Sequence, residues 1–230
     1  MTFATTRWSL ILESRSDSDG ARRALAELCR IYRAPVLAFV RRSGWAGDRA
    51  EDMTQDFFLY LLGERIHHLA DRERGRFRSY LLGALRRFIS DAHATRLALK
   101  RGGGAVHMAL DGSEAQPDGD GPEQAFERDW ALTVLQRAHA SLRQELEASG
   151  KAALYEAVRE FLLEPPNPDD YAQVAARLGL RRNTLAVAVH RMRERLRELI
   201  RLELCDTLER PGEVEAEFAD LRAALGGAAR

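Results

Sequence analysis

The chain has 230 residues, enough for one large domain or two small ones with a core in each. Its 35 basic and 35 acidic residues cancel to a formal charge of zero, so any affinity for a polyanion has to come from local charge and not from the total. No apolar run approaches the roughly 20 residues of a membrane helix, and MTFATTRWSLILES lacks a signal peptide's long apolar region and cleavage site, which predicts a cytoplasmic protein with no membrane partner.

Cys29 and Cys205 are the only cysteines. Both fall in apolar helical patterns, which predicts buried free thiols, and two cysteines alone cannot complete a four-ligand zinc site. The sequence holds no Gly-rich phosphate loop, nucleophile elbow or H-E-x-x-H signature. His67 and His68 are adjacent, so on a helix they would not converge on one ligand. No enzyme activity, metal or cofactor is expected.

Apolar positions recur with helical period almost throughout, and no alternating strand pattern stands out, so the expected fold is all-α. A short helix fits residues 7–13. A long one fits 21–42, with Leu25, Leu28, Ile31 and Tyr32 on one face and a kink at Pro35. Gly44 and Gly47 mark a turn, and a third helix fits 49–62. Residues 70–76 read as a loop, and 77 to about 100 as a fourth helix. RGGGAVHMALDGSEAQPDGDGPE then interrupts all helical periodicity. It divides the chain into a helical domain over 1–101, a flexible acidic linker over 102–122, a second helical domain over 123–208 and a helical extension over 209–230. Within the second domain, helices fit 123–147 and 151–163, EPPNPDD breaks the second of them, and a helix-turn-helix follows. Its second helix is expected to run to about residue 208, and Pro211 and Gly212 precede the last helix.

Charge is unevenly spread along this plan. From 72 to 101 nine basic residues face two acids, a net of +7; from 109 to 129 the net is −6; from 177 to 201 it is +6. Two basic blocks around an acidic spacer fit two nucleic-acid contacts and a linker with a different partner.

ARLGLRRNTLAVAVHR, residues 176–191, carries the helix-turn-helix pattern. Asp169 or Asp170 is a candidate cap for the first helix. Val174, Ala175 and Leu178 form its inner face, Gly179 sits where the turn needs positive φ, and Leu180 is expected beneath the turn. Asn183 is a candidate cap for the second helix, with Leu185 and Val189 on its inner face. Such a second helix enters the major groove with its first turns at base edges. The candidate base-contacting residues are therefore Arg181, Arg182, Asn183, Thr184, Ala186 and His190, with Arg191 and Arg193 placed for phosphates.

DRAEDMTQDFFLYLL, residues 48–62, is the second informative stretch. Met53, Phe57 and Leu61 make an apolar stripe, while Asp48, Asp52 and Asp56 recur at every fourth residue. Asp48 with Glu51 fits a capping box. Asp52, Gln55 and Asp56 are better explained by a partner with a basic surface.

Taken in order, ALAELCRIYRAPVLAFVRRSG, DRAEDMTQDFFLYLL, RGRFRSYLLGALRRFISD and YAQVAARLGLRRNTLAVAVHRMRERLREL resemble the extracytoplasmic-function (ECF) group of the bacterial sigma-70 family. The resemblance covers roughly residues 20–205. It implies a non-enzymatic protein that binds core RNA polymerase, at the clamp and flap of its large subunits, and directs it to promoter DNA. By resemblance, Asp48, Glu51, Asp52, Gln55, Asp56 and Phe57 would dock on the clamp. The loop over 70–77 would accept a flipped base of the −10 element, and Arg74, Arg76, Phe77, Arg78, Tyr80, Arg86 and Arg87 would serve −10 recognition and melting. Extracted bases stack on aromatic or guanidinium planes, and phosphates need arginines. The second domain would read the −35 element.

The chain departs from the family in several places. Thr184 is followed by Leu185, Ala186, Val187 and Ala188 where the family often has basic or polar residues, and Tyr80 and Arg87 replace a common Trp and Asn. Relatives are held by an anti-sigma factor or linked to a Ser/Thr kinase, and Thr54, within the expected docking helix, is a candidate phosphorylation site. Two other readings compete: a stand-alone helix-turn-helix regulator that binds duplex DNA as a dimer, and an interaction protein that sequesters a partner without binding DNA.

Overall fold

The structure is a computed structural model, and it describes residues 19–63, 77–102, 121–164, 166–205 and 214–226. Every regular element among the described residues is helical, as the apolar periodicity predicts. The expected helix at 7–13, the loop at 70–76 and nearly all of the linker lie outside the described residues.

Helix α1 (Asp19–Arg42) buries Leu28, Ile31, Tyr32, Val36, Phe39 and Val40 on one face, and Pro35 lies within it. It ends in a Schellman motif. Gly44, at φ 90°, donates to the Arg41 carbonyl at 3.2 Å, and Trp45 donates to that of Val40 at 3.4 Å. That turn sends α2 (Gly47–Gly63) back against α1, with Ala50, Phe57 and Leu61 buried. Helix α3 (Phe77–Gly102) contributes Phe77, Leu81, Leu85 and Ile89, and Phe77 meets the Tyr32 ring edge-on at 5.4 Å.

Helix α4 (Pro122–Ala148) ends in a second Schellman motif at Gly150, φ 71°. After it come α5 (Ala152–Val158), a 3-10 turn (Arg159–Leu162), α6 (Pro168–Arg177), α7 (Arg182–Cys205) and α8 (Val214–Gly226). The single helix expected over 151–163 is thus two pieces, and α7 is described only as far as Cys205.

Contacts divide the chain into two compact units, residues 1–133 with 205–230, and residues 134–204. The sequence pattern placed the division in the 102–122 segment. The contact division falls inside α4 instead, because Phe126 and Trp130 near its start are fully buried members of the first unit. The expected separate extension at 209–230 also belongs to that unit. Along α8, Val214, Glu217 and Leu221 are buried at one face. Glu217 lies 3.2 Å from Arg78, whose guanidinium also donates to Glu127 at 2.7 Å and stacks 4.0 Å from the Trp130 ring.

The second unit buries Val134, Ala138 and Leu142 of α4, Tyr155, Val158 and Leu162 of the next segment, and Leu185, Val189, Met192 and Leu196 of α7. Arg195 clamps Glu145 through two bonds of 2.7 and 2.9 Å, and Arg137 reaches Glu203 at 2.9 Å. Cys29 and Cys205 are not joined in a disulfide. Cys29 is half-buried, and burial pushes its thiol pKa up; Cys205 is exposed and not buried as expected, since it falls on the outer face of α7 beside buried Leu204.

Candidate nucleic-acid interface

The segment from α6 to α7 is built by local chemistry. Pro168 opens α6, where no N–H donor is required, and the backbone N–H of Asn167 donates to the Asp170 carboxylate at 2.9 Å. Asn167 is therefore the N-cap, and Asp170 plays the reciprocal role three residues on, in place of the cap predicted at Asp169 or Asp170. The helix stops at a third Schellman motif. Gly179, at φ 66°, donates to Ala176 at 3.1 Å, and Leu180 donates to Ala175 at 2.9 Å.

Two expectations for this turn need correction. Leu180 is 36% exposed, because its peptide N–H and not its side chain closes the turn. Asn183 lies in the first turn of α7, which begins at Arg182, so it does not cap that helix. Leu185 and Val189 are buried on the inner face, as their spacing requires.

Arg181, Arg182, Asn183, Thr184, His190 and Arg191 are all exposed, and Ala186 is half-buried. Arg177, in the last turn of α6, joins them, a residue the sequence reading passed over although it belongs to the same basic block. Arg177, Arg181, Arg182 and Arg191 have no ion-pair partner among the described residues. The later arginines of α7 differ. Arg197 pairs with Glu194, and Arg195 is bound by Glu145 and then Glu198, which together hold its pKa above the usual arginine value. Arg193, placed on phosphates by the sequence reading, donates instead to the carbonyls of Phe161, at 2.8 Å through Nε, and Glu164 at 3.2 Å. It bolts α7 to the end of the 3-10 turn, where unsatisfied carbonyls attract a fork of donors. Within the segment from α6 to α7, the arginines left open to solvent thus lie around the turn and along the first three turns of α7.

In the first unit, Asp48, Asp52, Gln55 and Asp56 lie exposed along α2. Glu51 does not reach back to the helix start; its carboxylate is held by Arg33 at 2.6 Å and Arg41 at 3.3 Å on α1. Phe57, assigned to the docking face, is a core residue with no exposure, packed against Phe88 at 5.6 Å. The outward apolar residues are Leu59, 66% exposed, and Tyr60, 37% exposed, three and four residues after Asp56. Thr54 is 2% exposed and its hydroxyl donates to the Ala50 carbonyl at 2.8 Å, so a kinase could not reach it in this fold.

The residues assigned to promoter melting are dispersed. Arg74 and Arg76 lie outside the described residues. Phe77 and Arg78 are buried, Phe77 against Tyr32 and Arg78 in its carboxylate network, so neither faces solvent. Tyr80 is half-buried; burial raises its hydroxyl pKa and nearby Arg87 opposes that. Arg86 is exposed but paired with Glu123 at 2.9 Å, and Arg87 is exposed. Of the five described residues, Tyr80, Arg86 and Arg87 lie at the surface of α3.

Among the described residues no three His, Cys, Asp or Glu side chains gather as a metal site would need, and no helix is long and apolar enough to cross a membrane. Comparison of the chain with protein-family models, curated proteins and solved structures gives no match.

Proposed function

We propose that this protein is an ECF-type sigma factor. It binds core RNA polymerase, carries it to particular promoters and assists duplex melting, without catalysing a reaction itself. One observation carries the nucleic-acid part of this reading. Four exposed arginines without ion-pair partners among the described residues lie at a glycine turn and along the first turns of a helix whose opposite face is buried. Such a helix-turn-helix offers charge to phosphates and side-chain edges to bases. The exposed acidic stripe of α2, with Leu59 at its end, favours a second, basic protein partner and so a polymerase-bound factor over a stand-alone regulator. Tyr80, Arg86 and Arg87 are the candidate contacts to the melted strand.

The test is to mix the full chain with core polymerase and assay co-elution and transcription from the DNA upstream of its own coding sequence. Co-elution with promoter-dependent transcripts is the expected result, weakened when Asp52 and Asp56 are both changed to Lys. Tight duplex binding with no polymerase complex would instead identify a stand-alone regulator, and neither activity would sink both.

A further inference from the structure

Val187 sits at the middle of the solvent face of α7. At about 100° per residue it points away from buried Leu185, Val189 and Met192, with Asn183 and Arg191 one turn to either side. It is 50% exposed. Neither helix propensity nor burial favours a β-branched aliphatic there, where a long polar side chain would suit both helix and solvent. Thr184, nearly one turn earlier, is also exposed and adds a second methyl to the same strip. Single exposed apolar residues are common on protein surfaces. Arg191 lies one turn beyond it, and Arg181 and Arg182 are exposed where the helix starts; none has an ion-pair partner among the described residues, so an occupant anionic along its length and apolar at its centre fits this face.

Duplex DNA offers that combination at one base. Thymine alone among the four places a methyl group in the major groove, and small apolar side chains contact it. We infer that Val187, with the methyl of Thr184, reads thymine 5-methyl groups in the upstream element. The inference rests on α7 being the groove-reading helix. It assigns specificity to a stretch otherwise poor in hydrogen-bonding side chains: Ala186 and Ala188 on either side leave room for the base edge to approach, and arginines hold the flanking phosphates.

Replacing thymine by deoxyuridine removes that methyl and keeps the pairing. The full chain, alone and with core polymerase, is used to select duplexes from a random pool. Each thymine of the selected element is then replaced singly. At one or two positions the affinity should fall about three- to fivefold, the worth of one buried methyl. Val187→Ser should lose a similar factor on the parent duplex and become indifferent to the replacement at one of those positions. Equal binding of thymine and deoxyuridine everywhere, with a sequence still selected, would overturn the inference alone. So would a Val187→Ser protein that still discriminates at every one of those positions as the native protein does. Failure to select any sequence in either format would overturn the groove-reading assignment and the inference with it.

Discussion

Thr54 donates its hydroxyl hydrogen to Ala50 from a site 2% exposed, on the inner side of a helix whose outer side is acidic. Thr54→Ala should cost about 1 kcal/mol, one modest hydrogen bond, whereas Thr54→Glu, which buries an unpaired carboxylate, should cost at least ~3 kcal/mol in urea denaturation. Equal stabilities would return the site to candidacy for modification. His139 is a second residue whose chemistry follows from burial. Its ring nitrogen lies 3.3 Å from the Tyr155 hydroxyl, and desolvation pushes its pKa below the ordinary 6.5. The unfolded chain therefore takes up the proton first as pH falls. Stability from this group is complete above pH 6.5 and is lost as pH drops from there through the lowered folded value. Denaturation midpoints measured at about pH 7.5 and 5.5 should differ less in His139→Gln than in the native protein; an unchanged difference would show that His139 is not the titrating group.

At the scale of the element, Arg193 belongs to the framework that holds α7 to the 3-10 turn and not to the proposed DNA face. Arg193→Ala should lower stability by about 1–2 kcal/mol through orphaned carbonyls, and should weaken duplex binding less than Arg181→Ala does. The reverse order would return Arg193 to the phosphates. Helix ends were legible in the sequence wherever a glycine sets them: Gly44, Gly150 and Gly179 all take positive φ and close Schellman motifs. The acidic stripe of α2 and the inner face of α7 were legible from spacing alone. So was the burial of Phe57, in the apolar stripe with Met53 and Leu61; only the family resemblance put it on the docking face. The fate of Phe77 was not: it opens α3, and which way its ring turns depends on Tyr32 in another helix. Arg78 looked like a DNA contact because its partners, Glu127 and Glu217, are 49 and 139 residues away and leave no local signature.

For the whole molecule, a zero total conceals unequal use of charge. Arg33, Arg78, Arg86, Arg137 and Arg195 hold carboxylates from other parts of the sequence, while the arginines around the turn at Gly179 stay open. The tail is part of this economy. Removing residues 206–230 takes Glu217 and Asp220 from Arg78 and uncovers the apolar face under Val214 and Leu221. The loss should reach about 3 kcal/mol in the first unit, from the uncovered apolar face together with a buried Arg78 left with Glu127 alone. Glu217→Gln, which keeps the shape and removes the charge, should cost less. A truncated chain as stable as the full one would mean that α8 adds nothing to the core it covers.

The first unit is assembled from two stretches of chain with the second unit between them. Synthesis runs from one end, so residues 134–204 can close their own core on the ribosome while the earlier unit still waits for α8. The unit begun first is completed later, and only a chain translated through Val214–Gly226 and left unclipped gives Arg78 its full set of carboxylates. A prematurely ended or proteolysed copy keeps the core of residues 134–204 but leaves the other unit without the α8 carboxylates that Arg78 binds.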